Sequence, residues 1–203
     1  MLDRQALALL KPATDWTALR VLKLGCSADG ITLAGVLIGL LAAALIATGH
    51  PMLAILPLLA SRGLDGLDGA VARLTAATDR GAFLDISFDF LFYASVPLAF
   101  AIADPQANAL AAAMLLAAFT GTGSSFLAYA IIAEKRGLKS TAYPSKSFYY
   151  LGGLTEGAET IACFLVMCLW PRWFPVVACV YAALCGVTIV TRILAGWRAF
   201  GRR

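Results

Sequence analysis

Apolar residues run almost without interruption through five stretches of the chain, 31–48, 83–103, 107–133, 148–170 and 174–194. Each is close to the length of about 20 residues that an α-helix needs to cross the hydrocarbon core of a bilayer. A sixth stretch, 51–76, begins in the same way but carries Arg62, Asp65, Asp68 and Arg73, so a hydropathy window underrates it. Ahead of them, Leu2, Leu7, Leu9, Leu10, Trp16, Leu19, Val21, Leu22 and Leu24 are interleaved with basic residues, as an interfacial helix requires; the alternative is a frayed tail. The stretch before Cys26 has no uninterrupted apolar core and no small-residue cleavage site, so it is read as retained. The pattern predicts an all-α integral membrane protein with six transmembrane helices preceded by an N-terminal amphipathic interfacial helix. It forms one domain over 1–203, the interfacial region occupying 1–26 and the bundle 27–200.

Composition agrees. The 203 residues are 61% hydrophobic and 14% charged, and the mean hydropathy of +0.82 lies far above that of an ordinary water-soluble domain. Charge then sets the orientation. With six spans and both termini in the cytoplasm, the outer loops fall near His50, at 104–106 and at 171–173, and hold a single strong base, Arg172. Every other Lys and Arg lies on or near the inner side, as the positive-inside rule requires. That bias favours six spans over five, places the polar cluster on the cytoplasmic face of a bacterial-type inner or cell membrane, and explains the net charge of +4 without nucleic acid. Cys26, Cys163, Cys168, Cys179 and Cys185 show no CxxC spacing and read as reduced packing residues. His50 sits in a tight outer turn before Pro51, a poor place for a catalytic group. The pair Gly35 and Gly39 and the small-residue patch of Gly121, Gly123, Ser124 and Ser125 read as helix-packing faces.

The chemistry concentrates in the sixth stretch and the span after it. Asp65 and Asp68 are three residues apart and Asp85 and Asp89 four apart, so each pair lies on one face of its helix. Two facing helices bring four carboxylates together, and at that density in a low-dielectric setting protons or divalent cations must accompany them. Oxygen-only ligation suits Mg²⁺ or Mn²⁺, with Ca²⁺ also possible, and argues against zinc. Gly63, Gly66, Gly69, Ala70, Ala72 and Gly81 would let a bulky ligand approach the backbone. Arg73, one turn after Gly69, can offer a forked donor to a phosphate oxygen. The inferred ligand is a phosphate or pyrophosphate.

The run Asp65-Gly-Leu-Asp68-Gly69-Ala-Val-Ala72-Arg73, a spacer at 74–80, then Gly81-Ala-Phe-Leu-Asp85-Ile-Ser-Phe-Asp89 resembles the signature of the CDP-alcohol phosphotransferases, Asp-x2-Asp-Gly-x2-Ala-Arg, about eight residues, Gly-x3-Asp-x3-Asp. Every fixed residue is present, and the spacer is about one residue short. The resemblance implies transfer of a phosphatidyl group from a CDP-linked lipid, CDP-diacylglycerol, to the hydroxyl of a small alcohol with release of CMP. It implies two divalent cations held by Asp65, Asp68 and Asp85, with Asp89 sharing a metal or acting as general base on the acceptor. It also implies that Gly69, Ala72, Arg73 and Gly81 line the cytidine diphosphate site, and that the protein is a homodimer. Many members carry Pro-Asn-x-x-Thr before the first span; here Ala28-Asp29-Gly-Ile-Thr32 stands in its place, so Asp29 and Thr32 are candidates for the nucleotide. Asp29 reads equally well as the cap of the helix starting near Ile31.

Acceptor candidates lie later in the chain. Lys135, Arg136, Lys139 and Lys146 form a basic cytoplasmic connection that could attract an anionic acceptor, although plain topology-setting charge explains it too. Glu156 and Glu159 are expected two to three turns into the fifth span, on one face, binding the acceptor or pairing with Arg62 or Arg192. The inositol-phosphate-using branch of the family has a similar stretch with arginines where Gly157 and Thr160 stand here, which leaves glycerol phosphate, serine or another small alcohol open. Two rival readings are an ion-coupled transporter, which also uses intramembrane carboxylates, and a family member that binds CDP-lipid without catalysis.

Overall fold

The computed structural model describes residues 2–137 and 154–201. They form seven α-helices: α1 (Leu2–Lys23), α2 (Ala28–Ala47), α3 (Pro51–Leu74), α4 (Asp79–Ala103), α5 (Pro105–Lys135), α6 (Gly157–Leu169) and α7 (Phe174–Phe200), with a 3₁₀ turn at Pro171–Trp173. No strand occurs among the described residues. Among the described residues, four segments are long and apolar enough to cross a membrane: α2, α4, α5 and Pro171–Phe200. The protein is therefore an all-helical membrane protein. The fifth expected span shows as the 13-residue α6, and positions 148–153 of that expectation lie outside the described residues.

Helix starts follow local chemistry. The Ser27 hydroxyl caps α2 by accepting from the Gly30 N–H at 3.2 Å, so the cap expected of Asp29 belongs to Ser27 instead. Thr78 caps α4 by accepting from the Gly81 N–H at 3.0 Å. Asp104 caps α5 through the Ala107 N–H, followed by Pro105 at a position where its missing N–H costs nothing. Gly49, at φ +83°, provides the left-handed residue that closes the turn between α2 and α3.

Packing is centred on α2, which lies against both α3 and α4, while α5 packs on α7 and α4. The main core joins Leu58, Phe92, Phe100, Phe164, Met167 and Phe174, all essentially inaccessible. Phe100 and Phe174 stack with centroids 4.4 Å apart. A second, smaller cluster of Ala18, Ile31, Leu67, Ala70 and Val71 docks α1 onto α2 and α3. Large apolar side chains cover the outside, with Leu56 and Leu110 each 76% exposed, as a lipid-facing surface demands and an aqueous one does not tolerate. Since lipid provides no hydrophobic drive between helices, close approach matters more, and Gly39 supplies it. A Cβ there would lie 2.7 Å from Phe92 and 2.8 Å from the Ser61 hydroxyl.

Candidate functional site

Because α3 and α4 both rest on α2, the acids of α3 face those of α4. One carboxylate oxygen from each of Asp65, Asp85 and Asp89 lies within 4.8 Å of the others; Asp65 and Asp89 are half-buried and Asp85 is exposed. The structure thus gathers three of the four aspartates. Asp68 is buried and turned toward α2, where its Oδ2 accepts from the Thr32 hydroxyl at 2.5 Å. That bond satisfies an acid which would otherwise be costly to bury. A void of about 10 Å³, room for one water, is lined by Thr32, Asp65, Asp68 and Asp89 and links Asp68 to the cluster. Three hard oxygen donors at this spacing fit a divalent cation of the Mg²⁺ or Mn²⁺ type.

Arg62 completes the cluster, and sequence reasoning missed its role. Its Nη1 donates to Asp89 Oδ1 at 2.6 Å and lies 3.5 Å from Asp65 Oδ1. Nη2 donates to Ser61 Oγ at 3.2 Å, and the guanidinium carbon sits 3.9 Å from the centre of the Phe92 ring. The expected pairing of Arg62 with Glu156 or Glu159 is replaced by these contacts. The signal was available, since Arg62 stands three residues before Asp65 and shares its helix face.

Beside the acids opens a cavity of about 540 Å³. Asp65, Asp85 and Asp89 form one edge; Phe90, Tyr93, Phe119 and Phe126 supply aromatic walls; Glu156, Thr160, Thr122 and Arg192 add polar groups. Arg192 donates through Nη1 to the Thr122 carbonyl at 3.0 Å, with its guanidinium 5.4 Å from the Phe126 ring. Tyr93 follows Asp89 by one helical turn, a spacing visible in the sequence, whereas Phe119, Phe126 and Arg192 reach the cavity only through the packing of α5 and α7.

Glu156 was expected inside a helix and is instead the N-cap residue of α6, buried, with extended backbone. Thr155 and Gly157 are weak helix formers on either side, so the helix begins after Glu156. Its carbonyl accepts from the Thr160 N–H at 3.0 Å and the Thr160 hydroxyl at 2.8 Å. Glu159, in the first turn, is half-buried and is not part of the cavity lining.

At the other end of the cluster, a Cβ on Gly69 would sit 3.4 Å from Arg73 Nη1, so the exposed Arg73 side chain folds back over Gly69. Asp29 meets the start of α4: it accepts from Arg80 Nε at 2.7 Å, and its Oδ1 would lie 3.3 Å from a Cβ on Gly81. Ala72 is half-buried on the same turn as Arg73. Of the basic connection, Lys135 ends α5 and is exposed. Arg136 donates to the Phe200 carbonyl at 2.8 Å and the Ala199 carbonyl at 3.4 Å, bracing the end of α7 rather than lining the cavity. Lys139 and Lys146 lie outside the described residues.

Residues 26–190 match the family model described as CDP-alcohol phosphatidyltransferase. The chain is 52% identical over 198 residues to the Escherichia coli (strain K12) protein described as inner membrane protein YnjF, covering 97% of this chain and 96% of that one. The fold is similar to that of Mycobacterium tuberculosis phosphatidylinositol phosphate synthase (PgsA1). The crystal structure of that protein with CDP-DAG bound has a TM-score of 0.70 at 22% identity, covering 91% of this chain and 93% of that one. The structure in complex with manganese and citrate gives 0.71 at 22% identity, covering 91% and 88%. At such identity the likeness to these structures shows the fold alone.

Proposed function

The chain belongs to the CDP-alcohol phosphatidyltransferase family, and on that premise we propose that it transfers the phosphatidyl group of CDP-diacylglycerol to the hydroxyl of a small polar alcohol, releasing CMP, as a step of phospholipid biosynthesis. The observation that carries this reading is the three-acid cluster on the edge of a cavity large enough for a small acceptor. The relative of known fold with CDP-DAG bound supports the donor, and the one with manganese supports a divalent cation.

Asp65, Asp85 and Asp89, with Asp68 across the small void, would hold two divalent cations, Mg²⁺ or Mn²⁺. When bound, such ions neutralise charge on the pyrophosphate and on the departing phosphate. Gly69, Ala72 and Gly81 would line the nucleotide, and Arg73, which folds back over Gly69, would donate to a phosphate oxygen. Asp29, held by Arg80, and Thr32, held by Asp68, frame the cytidine end. The acceptor enters the cavity with its hydroxyl toward Asp89, which takes the proton as the new oxygen–phosphorus bond forms and the bond to the CMP phosphate breaks. The apolar walls limit water, the competing nucleophile. Glu156 is the acceptor-side acid this geometry favours; Glu159, Lys135, Arg136, Lys139 and Lys146 are secondary candidates.

In the membrane, α3 and α6 complete a six-span bundle, α1 lies in the interface, and both termini and the site face the cytoplasm. The family resemblance further implies a homodimer. The test is CMP release by the purified protein given CDP-diacylglycerol, Mg²⁺ or Mn²⁺ and a panel of alcohols. Acceptor-dependent CMP is expected for at least one alcohol and none for Asp85→Asn; donor binding without any CMP would identify a non-catalytic CDP-lipid binder.

A further inference from the structure

We infer that Arg62 is a resident counter-ion and positioning residue of the acid cluster, holding Asp89 by one oxygen and setting how strongly the cluster attracts a divalent cation; this rests on the metal-site reading above. The guanidinium is fixed from three sides. Nη1 is on Asp89 Oδ1 at 2.6 Å, Nη2 on Ser61 Oγ at 3.2 Å, and the plane lies over Phe92 at 3.9 Å. Ser61 is itself anchored, donating to the Gly35 carbonyl at 2.8 Å. The Arg62 side chain is only 14% exposed and stands within salt-bridge distance of both Asp65 and Asp89. A charge so placed is stable only because the carboxylates face it.

Two consequences follow from charge and geometry. Asp65, Asp85 and Asp89 ionised together carry three negative charges, and Arg62 cancels one of them, lowering the negative charge that draws a divalent cation. Its positive charge also repels an incoming cation at short range, so the cluster is a weaker metal site than its acids alone would make. Separately, the bond to Oδ1 fixes the rotation of the Asp89 carboxylate and leaves Oδ2 as the oxygen for a proton or an ion. A lysine keeps the charge but cannot reproduce the planar fork over an aromatic ring, so charge and geometry can be separated by substitution.

The test is Mn²⁺ titration of the full-length protein in detergent without substrate, read as free Mn²⁺ by electron paramagnetic resonance, beside CMP release. Arg62→Gln is expected to bind Mn²⁺ at least ~10-fold more tightly, because the repelling charge is gone, while turnover falls at least ~10-fold as Asp89 loses its orientation. Arg62→Lys is expected to keep Mn²⁺ affinity within ~3-fold of the parent yet lose turnover by about tenfold. A folded Arg62→Gln protein that binds Mn²⁺ no more tightly overturns the counter-ion role, since a purely structural lesion weakens metal and activity together. If Arg62→Gln does not fold, Arg62→Lys decides alone: unchanged turnover, or Mn²⁺ affinity lost along with it, overturns the inference. Failure of the parent protein to bind Mn²⁺ overturns the metal-site reading itself, a result separate from any difference among variants.

Discussion

Asp89 and Asp85 stand one helical turn apart in α4, yet their surroundings differ. Asp89 is half-buried and shares its charge with Arg62, whereas Asp85 is exposed. Asp85→Asn is therefore expected to weaken Mn²⁺ binding more than Asp89→Asn, and Asp89→Asn to lower turnover by ~10²–10⁴-fold through loss of the proton acceptor. Parallel Mn²⁺ titration and CMP release check both, and equal loss of metal by the two would remove the general-base assignment. The spacing of the four aspartates was legible in the sequence because helical periodicity alone puts each pair on one face. The turning of Asp68 toward Thr32 was not, since it depends on how α2 sits against α3. Arg62 was legible in principle, but hydropathy registers it only as an interruption of an apolar run.

The helices matter through where they begin and how closely they approach. α4 carries Gly81, Asp85 and Asp89, and its first turn is tied by Thr78. Thr78→Ala is expected to cost about 1 kcal/mol of stability, seen as a lowered Tm in detergent, and to reduce activity by disturbing the turn next to Asp29. Gly39→Val places side-chain atoms where Phe92 and Ser61 already lie, the two groups that hold Arg62. Overpacking of that kind is expected to cost about 1–3 kcal/mol, read as a lowered Tm in detergent, and to lower CMP release by displacing the groups that hold Arg62. The apolar runs located α2, α4, α5 and α7 well, because length and hydropathy are properties of each segment by itself. They could not place the start of α6: apolar composition does not tell helix from extended backbone, and Thr155 and Gly157 decided it.

For the molecule as a whole, the cavity assembles side chains from α3, α4, α5 and α7 with Glu156 and Thr160 at the start of α6, which explains why the part of its aromatic wall on α5 was invisible to any local pattern. Orientation has its own reporter. Cys26, between α1 and α2, is the exposed one among five free cysteines. A membrane-impermeant maleimide is expected to label it in inverted vesicles and not in right-side-out ones; the reverse result would place the site on the other face. The central claim, phosphatidyl transfer, is tested most directly by mass spectrometry of the lipids formed from CDP-diacylglycerol, Mn²⁺ and the panel of alcohols. A new phosphatidyl-alcohol appearing in equal amount with CMP is the expected result, and CMP accompanied only by phosphatidic acid, or no CMP with any alcohol, would contradict it.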